Sequence, residues 1–71
     1  MRVNLRDARK AAGMTQQQVA DSIGIALRYY KAIESGERLG GIYYWDKLED
    51  LLSVNQRVLR EISHAPASNP S

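Results

Sequence analysis

The chain of 71 residues contains no cysteine and only one histidine, His64. Without cysteine, neither a disulfide bond nor a thiolate-bound metal ion can stabilise the fold. The sequence has no cluster of histidine and glutamate and no glycine-rich phosphate loop. Glu49 and Asp50 are adjacent, so on a helix their carboxylates would point about 100° apart and would not act as a pair. These absences argue against an enzyme, a metal site and a bound cofactor.

Long apolar runs are missing as well. No stretch approaches the roughly 20 apolar residues that span a bilayer, and the start of the chain lacks the apolar segment of a signal peptide. We therefore expect a cytoplasmic protein with no membrane contact. A chain this short forms one domain and buries only about 60% of the surface of its unfolded form. Its stability must come from helix packing or from a partner subunit.

The charged residues are unevenly distributed along the chain. The net charge is +2 overall, but residues 1–41 carry +3 and residues 42–71 carry −1. Such an asymmetry suits a polyanion bound to the N-terminal part. A mixed, solvated surface explains the same distribution equally well, so charge alone does not decide between the two interpretations.

The spacing of apolar residues predicts five helices and no strand. The first, fourth and fifth helices are expected at residues 5–12, 43–52 and 56–63. Asn4 is expected to cap the first helix and Asn55 the fifth, in which Arg57 and Glu61 would pair one turn apart. Residues 1–63 are assigned to one domain. Residues 64–71, with two prolines and two serines, are expected to form a disordered tail.

Residues 14–34 predict two short helices joined by a tight turn. Thr15 can cap the first of them, and Gln18 can reach back to the Thr15 backbone and complete a capping box. Gly24 supplies the left-handed residue that ends this helix. Two helices joined by so short a turn must cross steeply, which pushes the second outward to where it can enter the DNA major groove.

This pattern resembles the helix-turn-helix of the phage repressor and Cro type, often called XRE-like. The resemblance covers residues 4–62 and implies an all-α fold, a compact five-helix domain of the lambda-repressor-like type with a central helix-turn-helix. The residues that carry it, at compatible spacing, are Arg6 to Arg9, Met14 to Gln17, Ala20, Gly24, Ile25, Ile33, Glu34, Gly36 and Leu51 to Asn55.

The helix after Gly24 is the candidate reading helix, and Arg28 is its strongest candidate for base contact. A guanidinium can donate two hydrogen bonds to guanine O6 and N7. Leu27 lies where the family often has a base-reading residue and can pack on a thymine methyl group, although an ordinary exposed leucine is the alternative. Lys31 can reach a base or a phosphate, or can be a solvated surface lysine. Ala26 replaces the family's usual Ser or Thr, so this helix lacks a side-chain N-cap.

A second group of residues is expected to contact the DNA backbone, which fixes register without reading sequence. The resemblance places Gln16 beside a phosphate, at a helix N-terminus whose free amide groups also attract anions. The other candidates for backbone contact are Gln17, Arg6, Lys10, Tyr29, Ser35 and Arg38. In the family, the residues that match Arg9 and Glu34 bond to each other across two helices, which implies a structural ion pair.

The resemblance also implies a dimer contact around residues 54–59. Val58 and Leu59 are candidates for this contact, and Trp45 is a candidate anchor beside it. The alternative for Trp45 is that it completes the core of the small domain.

These features together predict a sequence-specific regulator of transcription that binds double-stranded DNA. We expect a repressor that binds a partly palindromic operator as a homodimer, needs no cofactor and responds to concentration or to a regulatory protein partner. Two alternatives stay open. One is an antitoxin or restriction-modification controller of the same fold, and the other is a helical protein-interaction module that does not bind DNA.

Overall fold

A computed structural model describes residues 1–62, and over that range the chain is all-helical. This confirms the predicted all-α architecture. The expected tail at residues 64–71, with His64, lies outside the described residues, as does the end predicted for the fifth helix at Ser63. The five helices are α1 (Val3–Ala11), α2 (Gln16–Ile23), α3 (Leu27–Ser35), α4 (Ile42–Leu52) and α5 (Gln56–Arg60).

The ends of α2 follow directly from local sequence. Thr15 Oγ1 accepts a hydrogen bond from the Gln18 amide at 3.1 Å, and Gln18 Oε1 accepts one from the Thr15 amide at 2.8 Å. This reciprocal pair is the predicted capping box. Gly24 ends the helix with a φ of +79°, a left-handed conformation that glycine adopts without a steric penalty. The short turn that follows brings α3 across α2.

The first helix begins two residues and ends one residue before its predicted range, and α5 ends three residues before its predicted end. Asn4 does not cap α1, because the helix already begins at Val3 and the Asn4 amide instead donates to Val58 O at 3.2 Å and to Glu61 Oε1 at 2.9 Å. Asn55 does cap α5, through the Arg57 amide at 2.8 Å. The helix α5 ends at Arg60, and Glu61 has extended backbone angles. Glu61 therefore does not lie one helical turn after Arg57, where the two would pair.

The core lies where α1, α2, α3, α4 and α5 meet. Its largest side chain, Trp45, is 1% exposed, and Leu59 is fully buried, so neither has surface to offer a second subunit. Their assignment as dimer contacts is therefore wrong, and Trp45 completes the core instead. The other buried apolar residues are Leu5, Val19, Ala20, Ile23, Tyr30, Ile33, Leu48 and Leu52. Among the described residues, none of the helices is long and apolar enough to cross a membrane.

Candidate nucleic-acid interface

The third helix packs against α1 and α2 on one side and is open on the other. Tyr30, Ile33 and Glu34 point inward and are buried. On the opposite side, Arg28 and Lys31 are exposed and Leu27 is half-buried. All three residues predicted to read bases thus lie on the accessible side of one helix.

An open groove runs along this outer side of α3. Three cationic and one anionic side chain line it, which gives the groove a net charge of +2. Its lining residues are Ala26, Leu27, Arg28, Tyr29, Lys31, Ala32, Ser35, Glu37 and Arg38. The structure therefore brings together the candidate base readers and three of the candidate backbone contacts, namely Tyr29, Ser35 and Arg38.

The leading end of α3 has no side-chain cap. Ala26 occupies the N-cap position with extended backbone angles, and the first helical bond runs from the Tyr30 amide to Ala26 O at 3.0 Å. The remaining amides at this helix start have no capping side chain, as the alanine predicted. A helix N-terminus of this kind keeps its amide groups available to an external acceptor.

A buried carboxylate holds the trailing half of α3 in place. Glu34 is 2% exposed and accepts hydrogen bonds from Arg9 Nε at 2.9 Å and Arg9 Nη2 at 3.4 Å. It also accepts from the Tyr30 hydroxyl at 2.7 Å and from Gln16 Nε2 at 2.9 Å. The expected ion pair between Arg9 and Glu34 is present, and it forms part of a larger network that links α1, α2 and α3.

The pKa values in this network follow from burial and hydrogen bonding. Burial alone would raise the pKa of Glu34, but the hydrogen bonds from Arg9, Tyr30 and Gln16 outweigh it and hold that pKa below its ordinary value. The hydrogen bond to Glu34 raises the pKa of Arg9. Burial, followed by the bond to Glu34, raises the pKa of Tyr30. The carboxylate is therefore ionised and the phenol neutral near pH 7.

Gln16 and Gln17 differ in what their side chains already bind. The amide nitrogen of Gln16 donates to Glu34, so this half-buried side chain joins the start of α2 to α3. Gln17 is exposed, and its amide nitrogen donates to Asp21 Oδ1 at 2.8 Å within α2. The Gln16 amide nitrogen carries two N–H groups, and the bond to Glu34 uses one of them. The second N–H of Gln16 can therefore donate to a phosphate while the first stays on Glu34.

A short loop from Gly36 to Gly41 closes the far end of the groove. The Arg38 amide donates to Ala32 O at 3.1 Å, and Trp45 Nε1 donates to Leu39 O at 2.7 Å. The Arg38 guanidinium lies over the Tyr29 ring, 5.8 Å from its centroid. These contacts hold the exposed Arg38 side chain beside the reading helix.

The comparisons with known proteins agree with this geometry. A family described as helix-turn-helix matches residues 5–55, well over half of the chain. The chain belongs to that helix-turn-helix family. A relative, the transcriptional repressor RstR of the cryptic phage CTXphi from Vibrio cholerae, is 45% identical over 51 residues. The resemblance to phage repressors of the XRE type is thereby confirmed.

The match to RstR covers only part of that relative. The 51 residues are 72% of this chain but 46% of RstR, so the chain spans about half the length of that relative. No solved structure matches the chain. The family match makes this chain a helix-turn-helix domain, and the matched relative is named a transcriptional repressor. Within residues 1–62, no group of His, Cys, Asp and Glu side chains could hold a metal ion.

Two basic residues of α1 in the helix-turn-helix domain have different surroundings. Lys10 is exposed, whereas Arg6 is half-buried and bonded to its neighbour Asp7, with 3.3 Å between Arg6 Nη2 and Asp7 Oδ1. An ion pair this exposed is worth little, so it does not prevent Arg6 from changing partner. Both stay predictions as phosphate contacts.

The sequence gives no sign that Arg2 is buried, yet in the structure its side chain is only 3% exposed. Its Nη1 donates to Ile33 O at 2.6 Å and to Arg38 O at 2.9 Å, and its Nε donates to Arg60 O at 2.9 Å. Its guanidinium also lies 5.3 Å from the ring centroid of Trp45. Every acceptor is a main-chain carbonyl far away in sequence, so no local pattern identifies this residue as a buried one.

Proposed function

We propose that this helix-turn-helix domain binds specific sequences of double-stranded DNA through the outer face of α3 and represses transcription. The observation that carries the proposal is the placement of Arg28, Lys31 and Arg38, three exposed cations around one open groove. An accessible helix with this charge is suited to the major groove, whose flanking phosphates attract it. Regulation of bacterial or phage DNA would take place in the cytoplasm.

Each of the candidate DNA contacts has a proposed role that follows from its chemistry. Arg28 reads guanine by two hydrogen bonds, Leu27 packs on a thymine methyl group, and Lys31 contacts a base or a phosphate. The side chains proposed to contact the DNA backbone are Gln16, Gln17, Arg6, Lys10, Tyr29, Ser35 and Arg38. Of these, Gln16 also holds Glu34, so it can connect a phosphate to the reading helix.

We propose a homodimer on a partly palindromic operator, with half-sites about 34–36 Å apart. Val58 supports this proposal, because it is 46% exposed on α5, and Ile62 beyond that helix is 39% exposed. Val58→Glu should then weaken dimer formation on DNA and leave the monomer folded. Sedimentation of the protein with a two-half-site duplex and with a single half-site measures this, and equal stoichiometry on both duplexes would argue against the dimer. A regulatory protein partner remains a further proposal.

The decisive experiment is a selection of bound sequences from a pool of random duplexes. We expect enrichment of one motif, with affinity that falls as salt rises by about 0.9 log units per log unit of salt for each neutralised phosphate. Arg28→Ala should relax base preference at one position of each half-site. Arg57→Ala, which removes an exposed arginine from α5 instead, is the matched control and should leave the motif unchanged.

The result that would overturn the proposal is the absence of any enriched motif together with no salt-dependent binding to duplex DNA. That outcome would favour a protein-interaction module. Repression is tested separately by placing the selected motif across a promoter and measuring a reporter with and without the protein. A rise in reporter output would show activation and would contradict repression.

A further inference from the structure

Arg2 has an environment that is unusual for a buried arginine. No carboxylate lies within ion-pair distance of it among residues 1–62, where the ion pairs are those of Arg6 and Arg9. Its charge is instead compensated by three main-chain carbonyl oxygens and by the face of Trp45. Burying a cation costs free energy unless its donors are satisfied, and these contacts satisfy the Nε and Nη1 donors of Arg2.

Two of the three carbonyls lie at helix C-termini. Ile33 O belongs to the last turn of α3, and Arg60 O belongs to the last residue of α5. The C-terminal carbonyls of a helix have no partner within the helix and carry partial negative charge, which a cation stabilises. The main-chain amide of Arg2 adds a hydrogen bond to Glu34 O at 2.8 Å. Arg2 therefore caps the trailing end of the reading helix from a distant part of the chain.

The third carbonyl belongs to Arg38, in the loop that closes the groove. One nitrogen, Nη1 of Arg2, donates both to Arg38 O at 2.9 Å and to Ile33 O at 2.6 Å. The loop backbone is thereby fixed relative to the end of α3. The neighbouring carbonyl, Leu39 O, is held by Trp45, over whose ring the same guanidinium lies.

From these contacts we propose that Arg2 is a positioning residue for DNA binding. It holds the backbone of Arg38 so that the Arg38 side chain, which projects beside the reading helix, meets a phosphate of the duplex that α3 enters. The inference rests on the proposed function. It goes beyond it in assigning a DNA-binding role to a buried side chain that cannot itself touch DNA.

The test compares Arg2→Met, Arg38→Ala and the double variant. Arg38→Ala removes the phosphate contact but keeps the carbonyl that Arg2 binds. Arg57→Met is the matched control, because it makes the same chemical change and the same change of net charge at an exposed site on α5. The probe is the duplex that the selection enriches, and all proteins are compared at a temperature where circular dichroism shows each of them fully folded.

We expect Arg2→Met to weaken binding by about tenfold, as for the loss of one charge-assisted hydrogen bond. The slope of log affinity against log salt should become shallower by about 0.9, the share of one phosphate. In the Arg38→Ala background, Arg2→Met should cause no further loss of affinity. A purely structural role would leave the salt slope unchanged in fully folded protein, so the slope separates the two roles.

A second readout needs no DNA. Trp45 is the single tryptophan of the chain, and its ring lies between Arg2 and the loop carbonyl of Leu39. Arg2→Met should alter its fluorescence emission and speed hydrogen exchange at the Arg38 amide, whereas Arg57→Met should do neither. Unchanged emission and exchange would mean that Arg2 does not hold the loop.

The outcomes distinguish the inference from the function on which it rests. If the wild-type protein binds no duplex, the proposed function fails and the role of Arg2 fails with it. If the wild type binds DNA but folded Arg2→Met binds equally well, only the positioning role is overturned. The same holds if the losses of affinity caused by Arg2→Met and Arg38→Ala are independent, so that the double variant shows the product of the two fold-changes.

Discussion

Glu34→Ala is a substitution for which the structure supports a large stability effect. The carboxylate accepts four hydrogen bonds, two of them from Arg9, and is almost fully buried. Removing it leaves Arg9 with one remaining bond, from its Nη1 to Met14 O at 3.0 Å. Breaking a buried ion pair in this way costs about 3–5 kcal/mol, because the other charge stays buried without compensation.

That cost is large relative to the whole domain. A chain of this length has a total stability of about 4–11 kcal/mol, at roughly 0.05–0.15 kcal/mol per residue. In small domains each kcal/mol lowers the melting temperature by about 4–8 °C. Glu34→Ala should therefore lower it by at least about 12 °C, and in the weaker part of the stability range the variant would be largely unfolded at 25 °C.

The assay is thermal and urea unfolding followed by circular dichroism, with Arg9→Met and the double variant completing a mutant cycle. The second substitution should cost much less in the background of the first, since the charge it removes has already lost its partner. If Glu34→Ala lowers the free energy of unfolding by less than about 1 kcal/mol, the reasoning is refuted, because so small a loss is typical of a solvent-exposed ion pair.

The same carboxylate makes acid stability a second test of this network. The pKa of Glu34 is held below its ordinary value of 4.5 in the folded protein. A depressed pKa contributes stability that is present above the unfolded value and is lost as pH falls through the folded value. Unfolding free energy should thus fall below about pH 4.5 more steeply in wild type than in Glu34→Gln, and parallel profiles would contradict the assigned shift.

Three further substitutions test other parts of the structure. Ala26→Ser should stabilise the domain by about 0.5–2 kcal/mol in urea unfolding, since it supplies the missing cap of α3. Gly40→Ala should destabilise the domain by more than the matched Gly24→Ala. Both glycines have a φ of +79°, a conformation that costs an alanine about 1–2 kcal/mol. Only at Gly40 would the new Cβ also meet a side chain, 3.0 Å from Ile33 Cδ1. Gln16→Ala should weaken binding evenly across duplex sequences in a titration series, and a changed base preference would contradict a backbone contact.

The sequence predicted most reliably those features that depend on neighbours in the chain. Local sequence is enough to predict the capping box of Thr15 and Gln18 and the left-handed Gly24. Each depends only on residues a few positions apart, so it can be recognised without knowledge of the fold. The helices that flank them followed correctly. The family resemblance then added the contact between Arg9 and Glu34, which no local pattern could have supplied.

The failures occurred where a tertiary contact competed with a local preference. Asn4 has the chemistry of an N-cap, but its side-chain amide donates to a carbonyl of α5, and α1 starts two residues earlier than predicted. Arg2 was counted only as one more positive charge of the N-terminal half. Its partners are main-chain carbonyls 31, 36 and 58 residues away, and a carbonyl has no residue identity from which a sequence pattern can be recognised.

The reading helix is held unequally at its two ends, and this bears on how it would meet DNA. Its trailing half carries the Glu34 network, and Arg2 caps its last turn. Its leading end, at Ala26, has no side-chain cap. A helix end without a cap is the part that opens first, and a phosphate placed there can supply the missing acceptor. In the proposed complex with DNA, the firmly held half would set the direction of α3, and the uncapped leading edge with Leu27 and Arg28 would be free to adjust to the bases. Ala26→Ser, which supplies a cap, should for this reason improve stability more than it improves DNA affinity.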